Sequence, residues 1–373
     1  MPRELIAIAP RTPVLREYDD PALGERQVRI RTELASPKHG TELVAYRDEP
    51  ANRRPYDPAW GAILPRPATE GPPGFPRPLG NMAVGVVAEI GSAVRRFAVG
   101  DRVFGHFPIR ETQTVDETAA DPLPAGLTAE AAVCLDPAVM AMAMRDARIG
   151  LGDRVAVFGL GAIGLMAVQL ARLAGAARVI AVDPLPARRR VALALGADVA
   201  LDPLGADADV GLAIRRLSGI PAPPAPDVPG PDRIVGGYRE VQTQVGNLGV
   251  DVAIEAAGST AALHHAIRAT RFGGTVCVLS FSGGDAASLR LGDEFHFNRL
   301  HLISARAQSL PLRGHPAWTL ARLVDTTLAW LVSGRLRADG IVTPVVSFAD
   351  SVAAYRAIDE HPEQSIKLGI TFP

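Results

Sequence analysis

The chain has 373 residues, 47% of them hydrophobic, which is more than one domain usually holds, so two domains sharing a cleft are expected. Its 39 Lys and Arg face 40 Asp and Glu, a net charge of −1, which excludes the basic field that nucleic-acid or anionic-membrane binding requires. No stretch approaches the ~18 apolar residues of a membrane span and MPRELIAIAP lacks a signal-peptide core, so a soluble cytoplasmic protein is expected, with no membrane partner.

Residues 4 to 35 alternate in the manner of strands: Leu5, Ile6 and Ile8, a polar turn, then Val28 and Ile30 on one side with arginines on the other. A mostly antiparallel β-domain is predicted to begin here. Ser36-Pro-Lys-His-Gly-Thr-Glu-Leu43 reads as a polar turn entering a short helix. Residues 50 to 78 carry nine prolines and are predicted to be a surface loop forming a lip of the substrate cleft. Leu79 to Gly91 and Val99 to Phe104 return to strand type, their glycines marking bends or close backbone approaches in a barrel-like sheet. Leu127 to Ile149 reads as helical with an interruption at Asp136-Pro137, and Met140, Met142 and Met144 as core filler. Cys134 and Cys277, the only cysteines, form no disulfide framework or C-x-x-C cluster and read as buried small apolar residues.

Val155 to Phe158 is a short apolar strand running into Gly159, Gly161 and Gly164 with the spacing G-x-G-x-x-G. Gly159 permits a sharp turn, Gly161 lets the backbone approach a pyrophosphate, and Gly164 lets the next helix lie close to the sheet. That helix begins with free N–H groups aimed at the phosphates, carries Leu165, Val168, Leu170 and Leu173 as its apolar face, and stops at Gly175. Arg178 to Val182 is the next strand, closed by Asp183, where a carboxylate can accept hydrogen bonds from the adenosine ribose and so favour NAD. Arg188, Arg189 and Arg190 leave NADP open through a 2′-phosphate contact, against the reading of a solvated helix start with one arginine over the adenine.

Further on, Gly219 to Asp232 holds six prolines and is given no chemistry. Val250 to Gly258 and Thr275 to Phe281 read as the last central strands of a doubly wound parallel sheet, their carboxyl ends bordering the nicotinamide. His264 and His265 lie on a helix and are expected to be exposed; His296 and Arg299 lie where the chain turns back toward the first domain. A helix at about 317 to 333 and a strand at about 365 to 372 complete that return.

The motifs Gly40-Thr-Glu-Leu43, Leu79-Gly-Asn-Met-Ala-Val-Gly-Val-Val87, Gly100-Asp-Arg-Val103, Gly152-Asp-Arg-Val155, the glycine fingerprint with Asp183, and Glu255-Ala-Ala-Gly258 together resemble the medium-chain dehydrogenase/reductase superfamily across essentially the whole chain. Glu294-Phe-His-Phe-Asn-Arg-Leu300 is most similar to the branch that includes bacteriochlorophyllide a dehydrogenase and zinc-type homologues. The resemblance implies an α/β protein: a GroES-like β-barrel catalytic domain over 1–148, a Rossmann NAD(P)-binding domain over 149–295, and a return to the catalytic domain over 296–373. It also implies a homodimer or homotetramer, with dimerisation by sheet extension near Thr275 to Leu291. Cofactor contacts are expected from Gly159, Gly161, Ala162, Ile163, Gly164, Asp183, Arg188, Ala256 and Ser280.

Alcohol-oxidising relatives hold a catalytic zinc at positions that here carry His39, Asn81 and Asp136. His39 and Asp136 would be the ligands of any bound zinc, but an asparagine carbonyl is a poor third and the four-cysteine structural-zinc lobe is absent, so a metal-free site is expected. In that site the resemblance makes Thr41 the relay hydroxyl; His39, with an ordinary pKa near 6.5, is the general acid/base, Asp136 orients it, and Asn81 hydrogen-bonds the substrate oxygen. The expected activity is hydride transfer between NAD and a secondary alcohol or ketone, the small-molecule substrate being a polyol, cyclitol, sugar-like compound or specialised metabolite. An NADPH-dependent enone or quinone reductase and a non-catalytic dinucleotide-binding protein stand as alternatives.

Overall fold

A computed structural model describes residues 1–49, 56–64, 74–205, 209–218, 234–235, 238–239, 248–281, 286–310, 312–313 and 315–373. The first domain opens with β1 (Arg3–Ala9), β2 (Thr12–Glu17) and β3 (Gln27–Ser36), followed by α1 (His39–Tyr46). A short hairpin, β4 (Tyr56–Asp57) and β5 (Ala62–Ile63), lies within the proline-rich stretch, most of which falls outside the described residues, as does Gly219 to Asp232. Then come β6 (Arg77–Pro78), β7 (Met82–Ile90), β8 (Arg102–Gly105), β9 (Thr112–Asp116) and β10 (Asp121–Pro122).

The alternation in β3 does what its pattern predicts: Val28 and Ile30 are buried while Arg31 is exposed. β3 pairs antiparallel with β7, and at Gly85 a Cβ would meet the Arg31 carbonyl oxygen at 2.3 Å, so this close approach needs glycine. Two later strands, β19 (Val342–Ser347) and β20 (Lys367–Thr371), join the same sheet, in the order β10-β8-β7-β3-β20-β19, with β9 on β3. The chain's C-terminus thus closes the domain its N-terminus began.

α2 (Ala129–Val133) and α3 (Leu135–Ala141) lead into the second domain. The expected interruption falls at Cys134 rather than at Asp136-Pro137, because a proline in the first turn of a helix forfeits no internal hydrogen bond. There follow β11 (Arg154–Phe158), α4 (Ala162–Leu173), β12 (Arg178–Val182), α5 (Pro186–Ala194), β13 (Val199–Leu201) and α6 (Val210–Ser218). After a two-residue pair, β14 (Ile234–Val235) and β15 (Tyr238–Arg239), come β16 (Val250–Glu255), α7 (Thr260–Ala269), β17 (Thr270–Val278), β18 (His301–Ser304), α8 (Leu320–Val332) and, between β19 and β20, α9 (Ser351–Glu360).

Six parallel strands run β13-β12-β11-β16-β17-β18, a mixed α/β fold of the expected Rossmann type beside a GroES-like antiparallel domain. β18 belongs to this sheet, so the sheet extends past the boundary expected at 295. β17 is paired on both sides, by β16 and β18, so the sheet extension expected near Thr275 to Leu291 cannot start from it; among the described residues β18 is the outer strand on that side of the sheet.

α4 buries Leu165, Met166, Ala167 and Val168 completely, each large apolar side chain contributing about 1.5–3 kcal/mol. Leu173, expected on that face, is 42% exposed, since it sits in the last turn beyond the packed neighbours. Met142 and Met144 are core residues, and one core cluster runs from Leu34, Met82 and Val84 of the first domain to Val155, Leu165 and Leu323. His264 and His265 are half-buried rather than exposed, packed ring to ring on α7, whereas His296 and Arg299 face solvent. Among the described residues, no helix is long and apolar enough to cross a membrane.

Candidate active site between the two domains

The glycine turn lies at the switch in strand order, where β11 is flanked by β12 and β16. Gly159 has φ +88°, and a Cβ there would strike the Ala257 backbone nitrogen at 2.5 Å; one on Gly164 would lie 1.8 Å from the Gly159 carbonyl oxygen. Both positions are closed to side chains, one because of the turn and the other because of the helix packing. Gly161, the N-cap of α4, is different: a Cβ there would meet nothing within 4 Å. It fronts open space at a helix start with no side-chain cap, so the N–H groups of Ala162, Ile163 and Gly164 face a position suited to a pyrophosphate. The dinucleotide fits the residues present.

Asp183 is 3% exposed and braces this turn. Its Oδ2 accepts the Leu160 N–H at 2.8 Å and its Oδ1 the Leu185 N–H at 2.9 Å, which leaves each oxygen a lone pair. Arg188, expected to contact the cofactor, is engaged within the protein: its Nη1 lies 3.7 Å from Asp183 and its Nη2 donates to the carbonyls of Pro362 (3.1 Å) and Ser365 (2.9 Å). Arg189 pairs with Asp202 and the Asp183 carbonyl, and only Arg190 is exposed. On the other side of the turn, Glu255, fully buried, accepts the N–H groups of Ala257 and Gly258, both at 2.8 Å. Burial pushes its carboxyl up, opposed by those bonds. Ser280 spends its hydroxyl on Glu255 and Ala256 is half-buried beside the turn, so both expected cofactor neighbours border it, the serine as a brace.

In the first domain, the start of α1 comes within reach of the Arg188 charge through His39. Glu42 there accepts the Lys38 N–H at 3.0 Å, the Gly80 N–H at 2.8 Å and the Tyr355 hydroxyl at 2.6 Å. The helix end is thereby fixed to the turn before β7 and to α9. His39 is neutral: burial, with Lys367 and Arg188 nearby, pushes its pKa down to about 3, and its Nε2 accepts the Leu368 N–H at 3.0 Å. The ordinary pKa expected of a general acid/base does not hold, and the lone pair a zinc ion would need is already used. Asp136, buried to 5% exposure, does not orient His39; its oxygens lie 3.1 and 2.9 Å from Lys38 Nζ. The Asn81 amide nitrogen is buried without a hydrogen-bond partner, next to Ser36, whose carbonyl accepts the Asn81 backbone N–H. Thr41 is exposed on α1.

Lys367, absent from the sequence reading, completes the group. It is 3% exposed, donates from Nζ to the Pro37 carbonyl at 3.0 Å, and is drawn down by burial against the pull of Cys134, Asp136 and Glu42. Cys134 itself is pushed up to about 12 by burial, as is Cys277, so both are inert thiols. Lys38, Lys367, Glu42 and Glu255 are site residues to which the sequence reading gave no role, although Glu42 and Glu255 lie within the motifs Gly40-Thr-Glu-Leu43 and Glu255-Ala-Ala-Gly258 and Lys38 within the turn Ser36 to Leu43.

Zinc does not fit this donor set. One candidate ligand is bonded to backbone, one is an amide and one is clamped by an ammonium. At an effective dielectric of about 20, a dication ~4 Å from a single ammonium is opposed by about 8 kcal/mol. Among the described residues, no three His, Cys, Asp or Glu side chains gather into a group able to hold a metal ion. A cavity of about 450 Å³ lies elsewhere, at the amino-terminal ends of β16, β17 and β18, lined by Asp251, Thr275 and His301; it is on the far side of the sheet from the glycine turn.

Residues 162–321 match the family model described as zinc-binding dehydrogenase. The chain is 39% identical to the D-guloside 3-dehydrogenase of Escherichia coli K12 over 99% of its own length and all of that protein's. Among solved structures it superposes with a TM-score of 0.67, at 21% identity, on a putative zinc-binding dehydrogenase of Sinorhizobium meliloti bound to NADP, over all of this chain and 99% of that one. A structure described as a short chain alcohol dehydrogenase from Escherichia coli CFT073 complexed with NADH gives 0.69 at 17% identity over the same shares.

Proposed function

The chain belongs to the zinc-binding dehydrogenase family and is an NAD(P)-dependent oxidoreductase of the alcohol-dehydrogenase type, and from this we propose that it oxidises a secondary ring hydroxyl of a sugar glycoside to the ketone. The observation that carries the reading is the end-to-end likeness to a sugar glycoside dehydrogenase, which covers the substrate side of the cleft as well as the cofactor side. It supports a sugar substrate over the bacteriochlorophyllide branch suggested by Glu294 to Leu300.

In this reading the bound nicotinamide supplies the hydride acceptor. The Gly159 to Gly164 turn and the start of α4 hold the pyrophosphate, and the free lone pairs of Asp183 take the ribose hydroxyls. Arg188, committed to backbone carbonyls, and the buried Asp183 charge favour NAD over NADP. Glu255 keeps the Ala256 to Gly258 loop in place beside the nicotinamide position. Asn81 donates its unpartnered amide to the substrate, and Thr41 passes the hydroxyl proton to water. His39 is reassigned from proton carrier to brace, tying α1 to β20. Dimers are proposed to form through β18.

The test is formation of NADH from NAD⁺, or of NADPH from NADP⁺, by purified protein given a panel of methyl glycosides, polyols and cyclitols. Turnover of glycosides with NAD⁺ and recovery of a keto-glycoside support the reading. Reduction of enones by NADPH with no glycoside turnover overturns it in favour of the reductase, and NADH binding without any turnover overturns it in favour of a non-catalytic protein.

A further inference from the structure

His39, Asn81 and Asp136 stand where alcohol-oxidising relatives bind zinc, and the only cation touching any of them among the described residues is the Lys38 ammonium on Asp136. We propose that Lys38, clamped on Asp136, is the group that binds and polarises the substrate oxygen in place of a metal ion, a role that rests on the dehydrogenase reading above.

Four observations support it. An ammonium has three N–H donors, and the single hydrogen bond to Asp136 Oδ1 leaves two, one of which can meet a substrate oxygen. The Lys38 side chain is 22% exposed while Asp136 beneath it is 5% exposed, so the charge is anchored below and open above. The lysine stem starts from a fixed point, because the Lys38 N–H is held by Glu42, itself held by Gly80 and Tyr355. Lys367, buried within Coulombic reach of both Asp136 and Lys38, sets a second cation beside the carboxylate, which opposes a dication at that position and favours an alkoxide. The role is electrostatic: no bond to Lys38 forms or breaks. Thr41, three residues along the same face of α1 and exposed, gives the hydroxyl proton its way to solvent.

The experiment has two arms on the full-length protein. In the first, wild-type protein is stripped with a chelator and titrated with zinc by calorimetry; no stoichiometric binding and no change in turnover are expected, whereas one tightly held zinc per chain, required for turnover, would overturn the proposal. In the second, Lys38→Ala should lower kcat by about 10²–10³-fold with NADH binding intact, ethylammonium should restore part of the rate, and Lys38→Arg should keep more than Lys38→Ala. Wild-type turnover in Lys38→Ala, or a loss that no amine rescues, would overturn it. If Lys38→Ala does not fold, Lys38→Gln, which keeps most of the stem and loses only the charge, takes its place; it is expected to lose as much kcat with NADH binding intact, and wild-type turnover in it would overturn the proposal. If the wild type turns over no glycoside or other alcohol, the substrate reading has failed, and the zinc titration still decides whether Lys38 fills the cation position.

Discussion

The two walls of the cleft are built by opposite means. On the cofactor wall the chemistry is in the backbone: three glycines, a helix start and one buried acid that holds the turn through N–H groups. On the substrate wall it is in side chains brought from distant parts of the chain, Lys38 and Asp136 across 98 residues and Lys367 reaching Pro37 across 330. A backbone site tolerates many surface changes but almost none at its glycines. Under the Lys38 proposal, a side-chain site exchanges a metal for an ammonium while the fold stays the same.

Substitutions can break this contrast on either side. The largest effect is expected at Gly164: in Gly164→Ala the new methyl would lie 1.8 Å from the Gly159 carbonyl oxygen, so the turn must move, and NADH binding followed by fluorescence should be lost. Retained affinity would mean that the wall is not set by backbone packing. Next, Asp136→Asn leaves Lys38 without its counter-charge; thermal stability should fall and kcat should drop roughly tenfold, less than for Lys38 itself, because the ammonium remains but is no longer held. Equal or larger loss than Lys38→Ala would make Asp136 the group that meets the substrate.

Asp183→Ala is expected to weaken NAD⁺ by about 10–100-fold, the cost of charged hydrogen bonds to the turn and ribose, and NADP⁺ much less. Parallel losses for both would assign Asp183 to bracing alone. The smallest effect sharpens the role of His39. Its folded pKa is lowered to about 3 while the unfolded value is near 6.5, so below pH 6.5 the unfolded chain takes up a proton that the folded one refuses. Stability should therefore be fully present above about pH 6.5 and decline below it, by up to about 1.4 kcal/mol per pH unit from this residue. Denaturant titrations at neutral and mildly acidic pH should show that His39→Asn removes this part of the acid sensitivity; an unchanged slope would contradict the assignment of His39 as a neutral brace.

The same contrast explains what could be read from the sequence. The glycine turn, the flanking strands and Asp183 are local, fixed by spacing and period within about thirty residues, and the parallel sheet follows from repeating that unit. His39, Asn81 and Asp136 were legible as positions, through the resemblance, but their interactions were not. Nothing near His39 in sequence announces that Leu368 will occupy its Nε2, and nothing near Asp136 announces Lys38. The β18 edge was missed for a related reason: four residues with no marked alternation become a strand only because β17 lies beside them.

The most direct test of the account is the turnover of metal-stripped wild-type protein with NAD⁺ and a methyl glycoside, measured with and without added zinc. Equal rates of NADH formation in both are predicted, since an ammonium already holds the substrate oxygen. Turnover that vanishes on stripping and returns with zinc would contradict it.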